Sequence, residues 1–168
     1  MNPERIQVFL SLGSNCAEAR QMLARAREAI AALPGAGIIA KSPVYLTEPQ
    51  GYSEQPWFSN QVIALAVAES WRPPALLAAL LAIENSLGRK RDLALRFGPR
   101  KIDIDLLLFG DEKSSDPDCV IPHPRMLERA FVLCPLLDIA PQINIGGRPA
   151  SDWLAALPYK KAGEKIWQ

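Results

Sequence analysis

Two aspartates, Asp103 and Asp105, carry the strongest chemical signal in this 168-residue chain. They interrupt the apolar run Ile102-Asp103-Ile104-Asp105-Leu106-Leu107-Leu108-Phe109, which reads as a strand. Side chains alternate along a strand, so both carboxylates face one side while Ile102, Ile104 and Leu106 face the other. The unbroken run from Leu106 to Phe109 suggests burial on both faces, where an unpaired carboxylate is costly. A hard cation such as Mg²⁺, held by one or two carboxylates and by substrate phosphates, meets that need. The alternative is a solvated face, or pairing with nearby arginines.

The residues just upstream bear on that choice. Between Arg89 and Lys101 stand six bases, Arg89, Lys90, Arg91, Arg96, Arg100 and Lys101, against one acid, Asp92. Gly98-Pro99 marks the stretch as an irregular loop. Considered alone it fits a solvated surface or a nucleic-acid patch. Leading into an acidic pair, it fits Mg-bound polyphosphate, with arginines on the oxygens and the metal neutralising charge. The one histidine, His123, lies between Pro122 and Pro124, which restrict the backbone, and Arg129 follows six residues on. A structural histidine and a phosphate contact are both open for it. Glu84 falls on an apolar helical face, as a rim residue or as a buried acceptor for a polar ligand.

The elements that must position these groups follow from period and punctuation. Ile6 to Leu12 is a strand closed by Gly13-Ser14. A helix follows, with Asn15 as cap and Glu18 three residues on, Leu23, Ala26, Ile30 and Leu33 at helical spacing, and Pro34-Gly35 as stop. Ile38 to Leu46 reads as a strand, and Thr47 to Trp57, with Pro49, Gly51, Ser53 and Pro56, as a functional loop. In the strand Phe58 to Val67, the residues Phe58, Asn60, Val62 and Ala64 share a face. Pro73-Pro74 opens a helix with Leu77, Leu80, Leu81 and Leu87 as its apolar face, ended by Gly88. Beyond Phe109 the spacing predicts a helix over Arg125 to Leu137 and a short capped helix over Ser151 to Leu157. The order is that of an α+β fold with a ferredoxin-like split βαβ core (βαββαβ) and additional C-terminal helices, in a single compact domain over residues 1–168.

Composition bounds the rest. Hydrophobic residues make up 49% and charged residues 22%, ordinary for a folded globular chain, and the net charge of +1 provides no global field for a polyanion. Cys16, Cys119 and Cys134 are odd in number and widely spaced, which suggests buried thiols rather than a disulfide framework or a structural zinc site. Neither a basic-then-apolar leader nor a membrane-length apolar window is present in the sequence. The expectation is a cytoplasmic protein without a membrane or nucleic-acid partner, and a monomer.

Five segments together resemble the 6-hydroxymethyl-7,8-dihydropterin pyrophosphokinase family. They are Leu12-Gly13-Ser14-Asn15, Tyr45 to Asn60, Gly88-Arg89, Arg96-Phe97-Gly98-Pro99-Arg100-Lys101-Ile102-Asp103-Ile104-Asp105, and Pro122-His123-Pro124-Arg125 through Phe131. The likeness spans nearly the whole chain in order. It implies an ATP-dependent diphosphotransferase of folate synthesis, in which the hydroxymethyl oxygen of the pterin attacks the β-phosphorus of ATP and AMP leaves. It implies that Asp103 and Asp105 bind two Mg²⁺ ions, and that Arg89, Arg91, Arg100, His123 and Arg129 contact the ATP phosphates, Arg89 and Arg100 with a catalytic part. Phe58 and Phe131 would sandwich the pterin, Asn60 and the backbone near Thr47 would read its polar edge, and Glu84 would lie near both pockets. This chain departs from the family pattern in Phe97, usually tryptophan, in a stretched Arg89 to Phe97 spacing, and in Phe58, often tyrosine.

Two other readings fit the same residues. A nucleotidyltransferase would use the same Gly-Ser turn and Asp-x-Asp pair, and would release pyrophosphate rather than AMP. A ferredoxin-like RNA-binding module would use the basic loop, but the chain lacks aromatic-rich central strands and Asp103 and Asp105 would repel a phosphate backbone.

Overall fold

The computed structural model describes residues 4–51, 54–88 and 102–168. Strand β1 (Arg5–Ser14) leads into helix α1 (Ala19–Ala31) and then strands β2 (Ala36–Lys41), β3 (Tyr45–Thr47) and β4 (Phe58–Ala68). Helix α2 (Pro73–Ser86) precedes strand β5 (Asp103–Phe109). A 3-10 turn over Met126–Glu128 runs into helix α3 (Ala130–Ile139). The hairpin of β6 (Asn144–Ile145) and β7 (Arg148–Pro149), helix α4 (Ala150–Ala155) and the hairpin of β8 (Lys160–Ala162) and β9 (Lys165–Trp167) complete the α+β architecture.

β1 is an interior strand, antiparallel to the edge strand β5 on one side and to β4 on the other. β2 and β3 both pair antiparallel with the far side of β4, β9 runs parallel to β3, and β8 lies at the edge. Alternation along the strands sorts their side chains into two cores. Val8, Leu10 and Leu12 of β1, Ile63, Leu65 and Val67 of β4, and Ile102, Ile104 and Leu106 at β5 pack with Leu23, Ile30, Leu76 and Leu80 of α1 and α2. Phe9, Val62, Ala64 and Leu107 face the other way and pack with Val132, Leu133 and Leu136 of α3. The sheet is therefore covered by helices on both faces, each fully buried Leu or Ile contributing about 1.5–3 kcal/mol. Among the described residues, no helix is long and apolar enough to cross a membrane.

Several local expectations change. The strand over 38–46 is two strands, because Pro43 cannot donate to a ladder and the chain breaks at Ser42. Ser42 bridges the gap: its N–H donates to the Val62 carbonyl at 2.9 Å and its hydroxyl accepts from the Val62 N–H at 3.1 Å. Helix α1 starts at Ala19 with Glu18 at the cap position and no side-chain capping bond, so Asn15 is not its cap. On α2 the buried residues are Pro73, Leu76, Leu80, Ile83 and Glu84, while Leu81 is exposed. Gly88 ends that helix with φ of 87°, a left-handed conformation that glycine adopts without steric cost.

The helix over 125–137 is broken at Arg129, whose backbone is extended, and continues to Ile139. The short helix is Ala150–Ala155, with Pro149 ahead of it and no side-chain cap. The two C-terminal hairpins were not visible in the sequence, since strands of two or three residues carry no detectable alternation.

Candidate active site

Where α3 begins, the sheet face it covers gives way to a cavity of about 500 Å³. Register places the walls. Gly13 of β1 stands opposite Asp103 of β5 and opposite Asn60 of β4, and Ser11 stands opposite Asp105. Asp103 and Asp105 share this face, as alternation requires, and Phe58 and Asn60 share it from the other side of β1. Thr47 pairs with Phe58 across β3 and β4, and His123, Arg125, Arg129 and Phe131 close the cavity from the chain leading into α3.

The expected full burial of the acid pair is not observed. The Asp105 side chain is 41% exposed, because the face opposite Ile104 opens onto the cavity instead of a helix. Arg129 Nη1 lies 3.7 Å from one Asp105 oxygen and His123 Nε2 lies 3.9 Å from the other. Both distances exceed a direct hydrogen bond, so Arg129 and His123 are each drawn to Asp105 without saturating its carboxylate among the described residues. Arg129 Nε is buried without a hydrogen-bond partner among the described residues, which leaves a donor for an incoming oxygen anion. Its Cζ sits 5.5 Å from the centre of the Phe131 ring.

His123 has a defined proton arrangement. Its Nδ1 accepts from the Arg125 N–H at 3.2 Å, so the neutral ring carries its proton on Nε2, towards Asp105. Burial lowers the His123 pKa; Asp105 opposes this, while Arg129 and Arg125 add to it. The result is a neutral imidazole presenting one N–H donor to the cavity. Burial also lowers the Arg129 pKa, but a guanidinium starts so high that it stays charged.

On the opposite wall the Asn60 amide donates to the Thr47 hydroxyl at 2.6 Å, and both side chains are buried. Gly13 makes this possible. A Cβ at that position would lie 2.5 Å from Asn60 Oδ1. Ser11 has no role proposed from the sequence and Gly13 figures there as a turn residue, whereas both lie within β1, on the face that their alternation with the core residues Leu10 and Leu12 signals. The loop after Thr47 is fixed at its far end by Asn15, whose Nδ2 donates to Gln55 Oε1 at 2.8 Å and to the Pro56 carbonyl at 3.2 Å.

Glu84 does not reach this cavity. It is 2% exposed and lines an adjoining cavity of about 330 Å³ with Leu77, Leu81, Ile104, Leu106 and Val120. Asp105, His123 and Pro124 belong to both cavities, so the two adjoin at Asp105. Of the expected site residues, Thr47, Phe58, Asn60, Asp103, Asp105, His123, Arg129 and Phe131 therefore converge on one cavity. Arg89, Arg91 and Arg100 lie outside the described residues.

The donor set suits a cation that keeps much of its shell. Two carboxylates on one strand face open space, and no cluster of three or more His, Cys, Asp or Glu arranged for a metal exists among the described residues. That is a poor structural zinc site. It fits Mg²⁺, which takes one or two carboxylates together with substrate phosphates and water.

Residues 9–141 match the family model for 7,8-dihydro-6-hydroxymethylpterin-pyrophosphokinase. A 2-amino-4-hydroxy-6-hydroxymethyldihydropteridine pyrophosphokinase of Pseudomonas aeruginosa is 44% identical over 155 residues, covering 92% of this chain and 93% of the relative. The enzyme of the same name from Bacillus subtilis is 39% identical over 139 residues, 81% of this chain and 79% of the relative. Among solved structures, a Plasmodium falciparum HPPK-DHPS protein superposes with a TM-score of 0.68 at 13% identity, which speaks for the fold alone; this chain covers 46% of it. The chain belongs to the 7,8-dihydro-6-hydroxymethylpterin-pyrophosphokinase family, and transfers a pyrophosphoryl group from ATP to the hydroxymethyldihydropterin in folate biosynthesis.

Proposed function

We propose that the two adjoining cavities divide the substrates between them, meeting at Asp105 and His123. The larger holds the pterin between Phe58 and Phe131, with Asn60 and Thr47 on its polar edge; the smaller, lined by Leu77, Leu81, Ile104, Leu106 and Val120, holds the apolar faces of the nucleotide base. The observation that carries this reading is the convergence of Asp103, Asp105, His123 and Arg129 on the larger cavity, with Asp105 and His123 at its junction with the smaller, where a triphosphate would have to lie. Glu84, on the wall of the smaller cavity, then acts on the nucleotide side.

Asp103 and Asp105 hold Mg²⁺, two ions in the full reading, which when bound supplies charge neutralisation to the phosphates. Arg129 grips a phosphate oxygen through donors that Asp105 leaves unsatisfied, and neutral His123 donates Nε2–H to another. The aromatic pair fixes the ring so that its hydroxymethyl oxygen points at the junction. That oxygen forms a bond to the β-phosphorus as the bond from the β-phosphorus to the α-phosphate oxygen breaks; AMP leaves and the hydroxyl proton passes to solvent. Positioning and charge stabilisation carry such a transfer, and no strong base is required of these residues. Arg89, Arg91 and Arg100 complete the grip, Arg89 and Arg100 contributing to catalysis.

The antiparallel order β5–β1–β4–β2 supports a ferredoxin-like core, with α3 and α4 as additions, in a single domain. A monomer acting in the cytoplasm, without nucleic-acid or membrane partners, accords with this reading.

The test is AMP release from Mg·ATP with 6-hydroxymethyl-7,8-dihydropterin by the wild type, Asp103→Ala and Asp105→Ala across a Mg²⁺ titration. Two-step activation in the wild type, with one step lost in each variant, is expected. Normal turnover and normal Mg²⁺ dependence in either variant would remove that carboxylate from the metal site.

A further inference from the structure

Arg129 sits at a break between two helical pieces, and the break is held by one side chain far away in the sequence. Helix α3 starts at Ala130, so the Ala130 N–H has no intrahelical acceptor. Gln168 Oε1 accepts from it at 2.7 Å, and Gln168 Nε2 donates to the Glu128 carbonyl at 2.7 Å. A single amide thus spans the two peptide groups that flank Arg129. No side chain of the 3-10 turn or of α3 caps the start of α3.

Gln168 is itself fixed by the strand before it. The Leu46 N–H donates to the Glu164 carbonyl at 2.8 Å and the Glu48 N–H to the Ile166 carbonyl at 3.2 Å, which ties β9 to β3 at the cavity wall. Ile166, 1% exposed, packs with Ala130 and Cys134 of α3. The arrangement fixes the backbone on both sides of Arg129 while leaving its guanidinium in the cavity opposite Asp105.

We propose that Gln168 is a positioning residue for Arg129, setting where the guanidinium meets the triphosphate and so the affinity for ATP. This rests on the phosphate-gripping role given to Arg129 above. Such a role acts on binding and alignment more than on the fold, since both hydrogen bonds lie at the margin of the core, one part-buried and one exposed. An error of about 1 Å in a positioned group can cost far more than the hydrogen bond that held it.

The test uses the full chain with Mg·ATP and the pterin, and compares Arg129→Ala, Gln168→Met and the double variant. Gln168→Met is expected to raise KM for ATP about tenfold with kcat falling less than about threefold and KM for the pterin little changed. Arg129→Ala is expected to raise KM for ATP at least as much, and Gln168→Met to add nothing on that background. Should Gln168→Met fail to fold, Gln168→Glu, which keeps the acceptor for Ala130 and loses the donor to Glu128, is read in the same way. If Arg129→Ala raises KM for ATP and neither Gln168 variant does, the positioning role is wrong. It is equally wrong if the two effects multiply in the double variant. If Arg129→Ala itself leaves ATP affinity intact, the phosphate role of Arg129 fails, and the proposal with it.

Discussion

Arg129 and Asp105 face each other at 3.7 Å, close enough to attract and too far to hydrogen-bond directly. His123 approaches the same carboxylate at 3.9 Å. Among the described residues neither donor saturates the carboxylate, which keeps bonding capacity for a ligand. Because the Asp105 side chain is 41% exposed, its ion pairs contribute little to folding, on the order of 0–1 kcal/mol.

Asp105→Asn therefore separates function from stability. Turnover is expected to fall by about 10²-fold or more, the scale of losing a transition-state electrostatic contact, with the urea midpoint nearly unchanged. A variant that unfolds readily instead would show that the carboxylate is part of the fold.

Gly13→Ala addresses the opposite wall. The new Cβ would meet Asn60 Oδ1 at 2.5 Å, so the amide must turn away and its bond to Thr47 is lost or bent. Overpacking at such a site costs about 1–3 kcal/mol. KM for the pterin should rise about tenfold or more while KM for ATP stays near normal, since losing a buried polar contact costs about that factor. Equal effects on both substrates would show that Asn60 does not read the pterin.

Asn15→Ala is expected to destabilise the protein by about 1–3 kcal/mol, because Gln55, 7% exposed, loses a buried hydrogen-bond partner. The same change frees the end of the loop that follows Thr47. Thermal unfolding gives the first effect, and faster amide exchange over Glu54 to Trp57 the second. Unchanged exchange there would mean that Asn15 does not pin the loop.

The buried thiol of Cys134 has its pKa pushed up to about 11, chiefly by burial. Thiolate is the reactive form, so Cys134 should resist thiol reagents at pH 8 while the half-buried Cys16 is labelled. Raised in the folded state above its ordinary value of 9.0, Cys134 contributes stability below pH 9 that is lost as pH climbs through about 11. The phenols of Tyr45 and Tyr159 are shifted upward as well, Tyr45 by burial and by its hydrogen bond to Asp138, and act in the same direction. Urea midpoints measured between pH 8 and 11 should fall with pH. A flat profile would show that these groups titrate normally in the folded protein.

Much of the site was legible because strand alternation is a local rule. Asp103 with Asp105, and Phe58 with Asn60, were placed on common faces from their spacing alone, and the structure brings both pairs to one cavity. Burial was harder to read. The apolar run after Asp105 suggested a strand enclosed on both faces, yet the helix that covers Leu107 stops short of Asp105. Where a helix ends is decided by packing between distant segments, and nothing within the strand encodes it.

By itself, then, the sequence determined which residue types meet on which strand face, the helices α1 and α2, and the family, because each depends on local period or on motifs in order. Only the tertiary structure decided that Asn15 ties a loop instead of capping a helix, that Glu84 belongs to the smaller cavity, that Gly13 clears space for Asn60, and that Gln168 brackets Arg129. The Asn15 and Gln168 hydrogen bonds join residues 38 to 41 positions apart, and the placements of Gly13 and Glu84 depend on how neighbouring strands and helices pack. A hydrogen bond between such segments depends on where the sheet and helices bring the chain, which no window of neighbouring residues contains.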